Sequence, residues 1–76
     1  MTTNLEEELG TWRILIGAAG AAFHGFVGTQ AEAIARFDKA ARNNPRVILT
    51  LIATGPTGEI QVGGHTVDGE LWGIVA

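Results

Sequence analysis

Three residues near the end of the chain have side chains that could bind a metal or transfer protons. His65, Asp68 and Glu70 lie within the stretch IQVGGHTVDGELWGI, from Ile60 to Ile74. A metal site needs two or three ligands that converge on one point. Asp68 is followed by Gly69, and Asp-Gly is a favoured hairpin turn in which the aspartate bonds its own backbone. We therefore predict a corner of the chain here, with no metal bound.

A pair of histidines is the second possibility. The chain contains His24 and His65, and two histidines near a carboxylate can bind a divalent metal or respond to pH. The sequence leaves open whether they share a face of a sheet, and two separate, partly buried histidines are the simpler interpretation. The predicted pairing places Trp72 beside His65. The weak candidates for a ligand site are therefore His24, His65, Asp68, Glu70 and Trp72.

Nucleophilic catalysis has few residues to draw on. The chain has no cysteine, serine or tyrosine, so no Ser–His–Asp arrangement can form. The glycines of GAAGAAFHG, at Gly17–Gly25, precede a predicted strand, whereas a phosphate-binding loop precedes a helix. The sequence therefore favours a non-enzymatic protein, with no catalytic residues and no cofactor.

The composition is that of a small domain whose core needs support. A chain of 76 residues buries about 60% of its unfolded surface, which gives marginal stability. Disulfides are excluded because there is no cysteine, so oligomerisation is the favoured support. A secretory signal peptide would carry positive charge near its start, where this chain has Glu6, Glu7 and Glu8, so we expect a cytoplasmic protein. Small proteins of this kind are common among bacterial and phage accessory factors.

Charge gives little support to nucleic-acid binding. The net charge is −3, and four of the five cations could form a small basic end: Arg36, Lys39, Arg42 and Arg46. Binding through phosphates normally needs a larger positive surface. A weak nucleic-acid-binding regulator that uses these four residues remains an alternative function.

The element order is predicted from turn and cap signals. A tail or short helical turn (residues 1–10) precedes one α+β domain (residues 11–76), which opens with two strands around a turn at Ala19–Gly20. Thr29 and Glu32 form a capping box, and the helix runs to Asn43. Three strands follow, at 46–54, 59–67 and 70–76. Strand–strand–helix–strand–strand–strand is the order of β-grasp domains, and the likeness is a fold analogy that carries no function. We expect a mixed sheet with the helix on one face.

Both faces of that sheet are predicted to be apolar. With two-residue turns, Ile16 pairs with Phe23 and His65 with Trp72, and one helix covers only one face. The other face would then be an interface, because exposed apolar patches usually mark contacts. Its residues are Ile48, Ile52, Val62, Leu71 and Val75. We expect a homo-oligomer, with a dimer favoured, that binds another protein or a small ligand at its assembly surface. The alternative is a small-ligand or metal-binding protein, or an enzyme, whose site lies between subunits and uses His24, His65, Asp68 and Glu70.

Overall fold

One helix and five strands make up the described part of the chain, residues 9–17 and 22–76 of a computed structural model. The strands are β1 (Gly10–Ile16), β2 (Ala22–Gly28), β3 (Leu49–Gly55), β4 (Gly58–His65) and β5 (Leu71–Gly73), and α1 (Gln30–Asn43) lies between β2 and β3. The predicted α+β class and element order are confirmed. Residues 1–8 of the tail predicted at residues 1–10 lie outside the described residues. The turn predicted at Ala19–Gly20 also lies outside them.

The strands form a single sheet in the order β2-β1-β3-β4-β5. Every neighbouring pair is antiparallel, so the sheet differs in this respect from the mixed sheet that we expected. The reason is the path of α1, which carries the chain from β2 across β1. β3 therefore joins the far side of β1 and runs antiparallel to it.

The capping box predicted from the sequence starts α1. The Thr29 hydroxyl accepts a hydrogen bond from the Glu32 N–H at 3.1 Å, and the Thr29 N–H donates to Glu32 Oε1 at 3.3 Å. At the other end, Asn44 donates its N–H to the Ala41 carbonyl and its side-chain amide to the Ala40 carbonyl. Both ends of the helix therefore have partners for backbone groups that a helix leaves unpaired.

The core lies between α1 and one face of the sheet. Ala33 and Phe37 are the buried residues of the helix. They pack with four buried residues of β1 and β3, namely Trp12, Ile14, Leu49 and Leu51. The Trp12 indole N–H donates to the Gly28 carbonyl at 2.9 Å, so its polar atom is satisfied inside the core.

The pairing of β1 with β2 differs by one residue from the predicted register. Ile16 pairs with Ala22, not Phe23, and Ile14 pairs with His24. The predicted two-residue turn requires an even number of residues between any two paired residues. Five residues separate Ile16 from Ala22, and this odd number reverses which side chains of β2 share a face with those of β1, so the prediction was wrong. The shift brings His24 and Phe26 to the face of the sheet that carries Trp12 and Ile14, which is the face under α1.

A second shift lies in β4 and in the turn that follows it. The β3–β4 ladder has a bulge at Leu51/Ile52 that leaves Val62 unpaired, and a three-residue loop then pairs His65 with Leu71 instead of Trp72. Ile60, which lies between the β3–β4 turn and the bulge, is opposite Ala53 on the helix side because Gly55 pairs with Gly58 across a two-residue turn. The face away from α1, here called the open face, is less strongly apolar than predicted. It is mixed: the polar residues Thr11, Arg13, Thr50, Thr54, Glu59 and Gln61 lie there with the apolar residues Leu15, Val27, Ile52 and Trp72.

The helix is narrower than the sheet on which it lies. Five strands about 4.8 Å apart span about 19 Å between the outer strands, whereas a helix with its side chains is about 10 Å wide. α1 packs on β1 and β3 in the middle of the sheet. A groove is left along each side of the helix, one toward the β1–β2 hairpin and one toward β5.

Within the described residues, α1 is the one helix, and it is too short and too polar to cross a lipid bilayer.

Candidate functional site

The stretch with His65, Asp68 and Glu70 forms the predicted corner. The Thr66 hydroxyl accepts hydrogen bonds from the N–H groups of Asp68 and Glu70, both at 3.2 Å, and Gly69 has a φ of +85°. Asp68 and Glu70 are exposed, whereas His65 is buried under α1. The three side chains are therefore not brought together. Over residues 9–17 and 22–76, no three potential ligands are close enough to hold a metal.

His65 occupies an apolar position in the core. It is 4% exposed, and the ring of Phe37 packs against it edge to face. Neither imidazole nitrogen has a hydrogen-bond partner in the described part of the chain. Trp72, predicted beside His65, pairs with Gly64 instead and lies on the open face.

The two histidines lie on the same side of the sheet but do not form a pair. His24 is in β2 and His65 in β4, so β1 and β3 separate them by three strand spacings, or about 14 Å. His24 is exposed at the edge of the sheet, and His65 is enclosed by the core. The two histidines are therefore separate, as the simpler interpretation had it, but neither is partly buried as that interpretation expected. Of the two, His24 borders a groove.

The hairpin-side groove lies between the C-terminal half of α1 and the β1–β2 hairpin. It encloses about 540 Å³, within the range of about 300–1,000 Å³ typical of small-molecule sites. Its floor is apolar and consists of Ile14, Ile16, Phe26 and Ala40. Its rim is polar and consists of His24, Arg36, Lys39, Asn43 and Asn44. The arrangement can take up a ligand with an apolar body and a polar end.

The hairpin-side groove has two cations on its rim, Arg36 and Lys39. The Arg36 guanidinium lies over the Phe26 ring, with its central carbon 4.6 Å from the ring centroid. Arg42, on another side of α1, is paired with Asp38 at 2.5 Å. Over the described residues neither Arg36 nor Lys39 forms such a pair, so the rim of this groove carries uncompensated positive charge.

The β5-side groove lies on the opposite side of α1. It encloses about 280 Å³ and has an almost wholly apolar lining, with Asp38 as its charged member. The helix contributes Ile34, Phe37 and three alanines, and the end of the chain contributes Leu71 and Val75. Three further exposed apolar side chains lie in or near β5 in the chain, namely Val67, Trp72 and Ile74, and that of Trp72 is on the open face. This end of the sheet has the chemistry of a contact surface.

The free edge of β5 is short. Thr66 N–H donates to the Glu70 carbonyl and Ile74 N–H to the Val62 carbonyl, so the backbone groups of Leu71 and Gly73 face away from β4. The expected edge strand of residues 70–76 contracts to three residues, because Gly73 has a φ of +69° and the chain turns there. At this end of the sheet, pairing with another strand could use only the three residues of β5.

The five residues predicted to form an interface do not share a face. Ile52 lies on the open face and is 5% exposed, and Ile48 precedes β3. Val62 and Val75 pack against the core, and Leu71 lines the β5-side groove. The bulge in β4 and the three-residue loop account for this dispersal. Of the five, Leu71 and Val75 belong to the apolar surface that the structure leaves beside α1.

The four cations predicted for nucleic-acid binding are also dispersed. Arg36 and Lys39 border the hairpin-side groove, Arg42 is paired with Asp38, and Arg46 lines neither groove. The idea that they bind nucleic acid stays a prediction.

The hairpin-side groove was missed in the sequence because its residues come from β1, β2 and α1. The register error assigned Phe26 and His24 to the wrong face, so their proximity to Arg36 could not be derived. A signal was nevertheless present, since Arg36 and Lys39 are three residues apart and therefore adjacent on a helix.

Comparison with known proteins gave no match to a family model, to a curated protein or to a solved structure.

Proposed function

We propose that this domain is a non-enzymatic interaction module that self-associates, with a second copy of the chain packed on the β5-side groove. The observation that carries the proposal is the position of Leu71, which is 49% exposed at the mouth of an apolar groove that α1 leaves open. Burial of apolar surface is worth about 25 cal/mol per Å². An assembly in which another apolar surface covers this groove is therefore more stable than the separate chains.

A second copy fits this surface because the cleft and the protruding side chains adjoin each other. A two-fold contact places the same patch of both chains face to face, so each patch must hold a recess and something to fill it. The groove supplies the recess, and Leu71 at its mouth and Ile74, three residues further along the chain, supply exposed apolar side chains. Side chains carry most of the contact, because β5 offers only a three-residue edge for strand pairing.

Light scattering coupled to size exclusion tests the proposal over a range of protein concentrations. The expected result is a species of twice the 8.0 kDa chain mass that dissociates on dilution. Leu71→Lys places a charge at the groove and should give a monomer at the concentrations where the unmodified chain is dimeric.

Val27→Lys is the matched control. Val27 is 65% exposed and lies on the open face, so its replacement also adds a charge at an exposed apolar position and should leave the dimer intact. A monomer at every concentration tested, or a dimer that survives Leu71→Lys, would overturn the proposal.

A further inference from the structure

We propose that the hairpin-side groove binds a small organic anion with a flat apolar body, such as an aromatic carboxylate. The proposal concerns a different groove from the one used for self-association. It rests on three features of the groove: the sign of its charge, the nature of its floor and the position of Arg36.

The lining of the groove has one sign of charge. Arg36 and Lys39 are in it, and none of the acidic residues of the described chain is. Those residues are Glu32, Asp38, Glu59, Asp68 and Glu70. Because the two cations have no carboxylate partner in the part of the chain that the structure describes, an incoming anion need not displace one there. It meets hydrogen-bond donors that are already close together.

The floor requires the ligand to have an apolar body. Ile14 is buried, and Ile16 and Phe26 are partly buried against the core, so the bottom of the groove presents aliphatic and aromatic surface. Inorganic phosphate or sulfate would leave that surface wet. A flat hydrocarbon body attached to the anionic group covers it, which favours an amphiphilic anion over a bare one.

Arg36 is oriented for such a ligand. Its guanidinium stacks on Phe26 at 4.6 Å, which limits its rotamers and leaves its N–H groups available. A planar guanidinium can donate two parallel hydrogen bonds to a carboxylate. A ligand ring that enters along the same floor would have its carboxylate within reach of this fork.

The end of α1 opposes the anion only weakly. A helix C-terminus carries about half a negative charge, which would repel an anion near Asn43. Asn44 reduces this effect because it donates hydrogen bonds to the Ala40 and Ala41 carbonyls. Two full positive charges on Arg36 and Lys39 therefore outweigh the helix end.

Titration of the isotope-labelled chain with a naphthalene carboxylate, followed by amide resonances, tests the site. The expected result is saturable shifts at Phe26, Ala40 and Asn43. The neutral naphthalene carboxamide, which has the same ring system without the charge, should bind about tenfold more weakly. The double variant Arg36→Gln with Lys39→Gln should weaken carboxylate binding by at least about tenfold, with little change in thermal stability.

Arg42→Gln is the matched control. It removes one positive charge from the same helix at a position outside the groove, so it should leave the dissociation constant within about twofold. Three results would each refute the site: no saturable shifts at the groove up to millimolar carboxylate, equal affinity for the carboxamide, or equal losses in Arg42→Gln and in the double variant.

Discussion

The rings of Phe37 and His65 meet edge to face, with 6.1 Å between their centroids and 81° between their planes. Phe37 is one of the least exposed residues of α1, and His65 is 4% exposed in β4. The contact joins the helix to the sheet and encloses a polar ring whose two nitrogens have no partner in the described chain. An unsatisfied polar group in the core costs stability that an apolar residue would not.

Replacement of His65 by leucine should therefore stabilise the domain. We expect His65→Leu to raise the free energy of unfolding by about 1 kcal/mol, because it removes an unpaired donor and acceptor from the core. Urea denaturation at fixed pH and fixed protein concentration measures the change. His24→Leu is the control, since His24 is exposed, and should stay within about 0.5 kcal/mol. A loss of stability in His65→Leu would show that the imidazole has a partner.

The hydrogen bond from Trp12 to Gly28 fixes the end of β2 against the core. Trp12→Phe removes the indole N–H and leaves the Gly28 carbonyl without that donor, at a residue that is buried. We expect a loss of about 2 kcal/mol, from the missing hydrogen bond and the smaller ring together. Trp72→Phe should cost less than about 1 kcal/mol, because Trp72 is 40% exposed. Equal losses in the two variants, measured by denaturation, would contradict the assignment.

Position 64 has no room for a side chain. A Cβ on Gly64 would lie 2.8 Å from Trp72 Nε1 and would also collide with the Leu49 carbonyl oxygen, which belongs to the backbone and cannot rotate away. We expect Gly64→Ala to lower the free energy of unfolding by about 3 kcal/mol. Gly25→Ala is a matched strand substitution with open space, its nearest contact being 3.9 Å away, and should be close to neutral. A stable Gly64→Ala variant would contradict the close approach of both the Leu49 carbonyl oxygen and the Trp72 indole to this position.

The capping box should contribute measurably to the stability of α1. Thr29→Ala removes the oxygen that accepts the Glu32 N–H, and we expect a loss of about 1 kcal/mol. Asp38→Ala removes an exposed ion pair with Arg42 on the same helix and should cost less than about 0.5 kcal/mol. Thermal unfolding followed by circular dichroism compares the two. The reverse order of effects would contradict the cap geometry.

The helix could be predicted because its signals are local. Thr29 and Glu32 specify its start, and the apolar residues Ile34 and Phe37 face the sheet as their spacing requires. The register could not be predicted, because it depends on whether each connection has an odd or an even number of residues. The observed register places Phe26 beside Arg36 and separates Ile52 from Leu71. The residues that line the two grooves could therefore be identified only from the structure.

The strand order also has a kinetic consequence. The β1–β2, β3–β4 and β4–β5 ladders join neighbours in sequence, whereas the β1–β3 ladder joins residues from 33 apart (Ile16 and Leu49) to 43 apart (Thr11 and Thr54). Non-local pairing is slow because closing the intervening loop costs entropy before any favourable contact has formed to offset that cost. We expect Ile14→Val, in that ladder, chiefly to slow refolding, and Leu71→Ala chiefly to speed unfolding, in stopped-flow measurements at monomeric concentrations. We therefore expect the β1–β2 and β3–β4 hairpins to form first and the β1–β3 ladder to join them last.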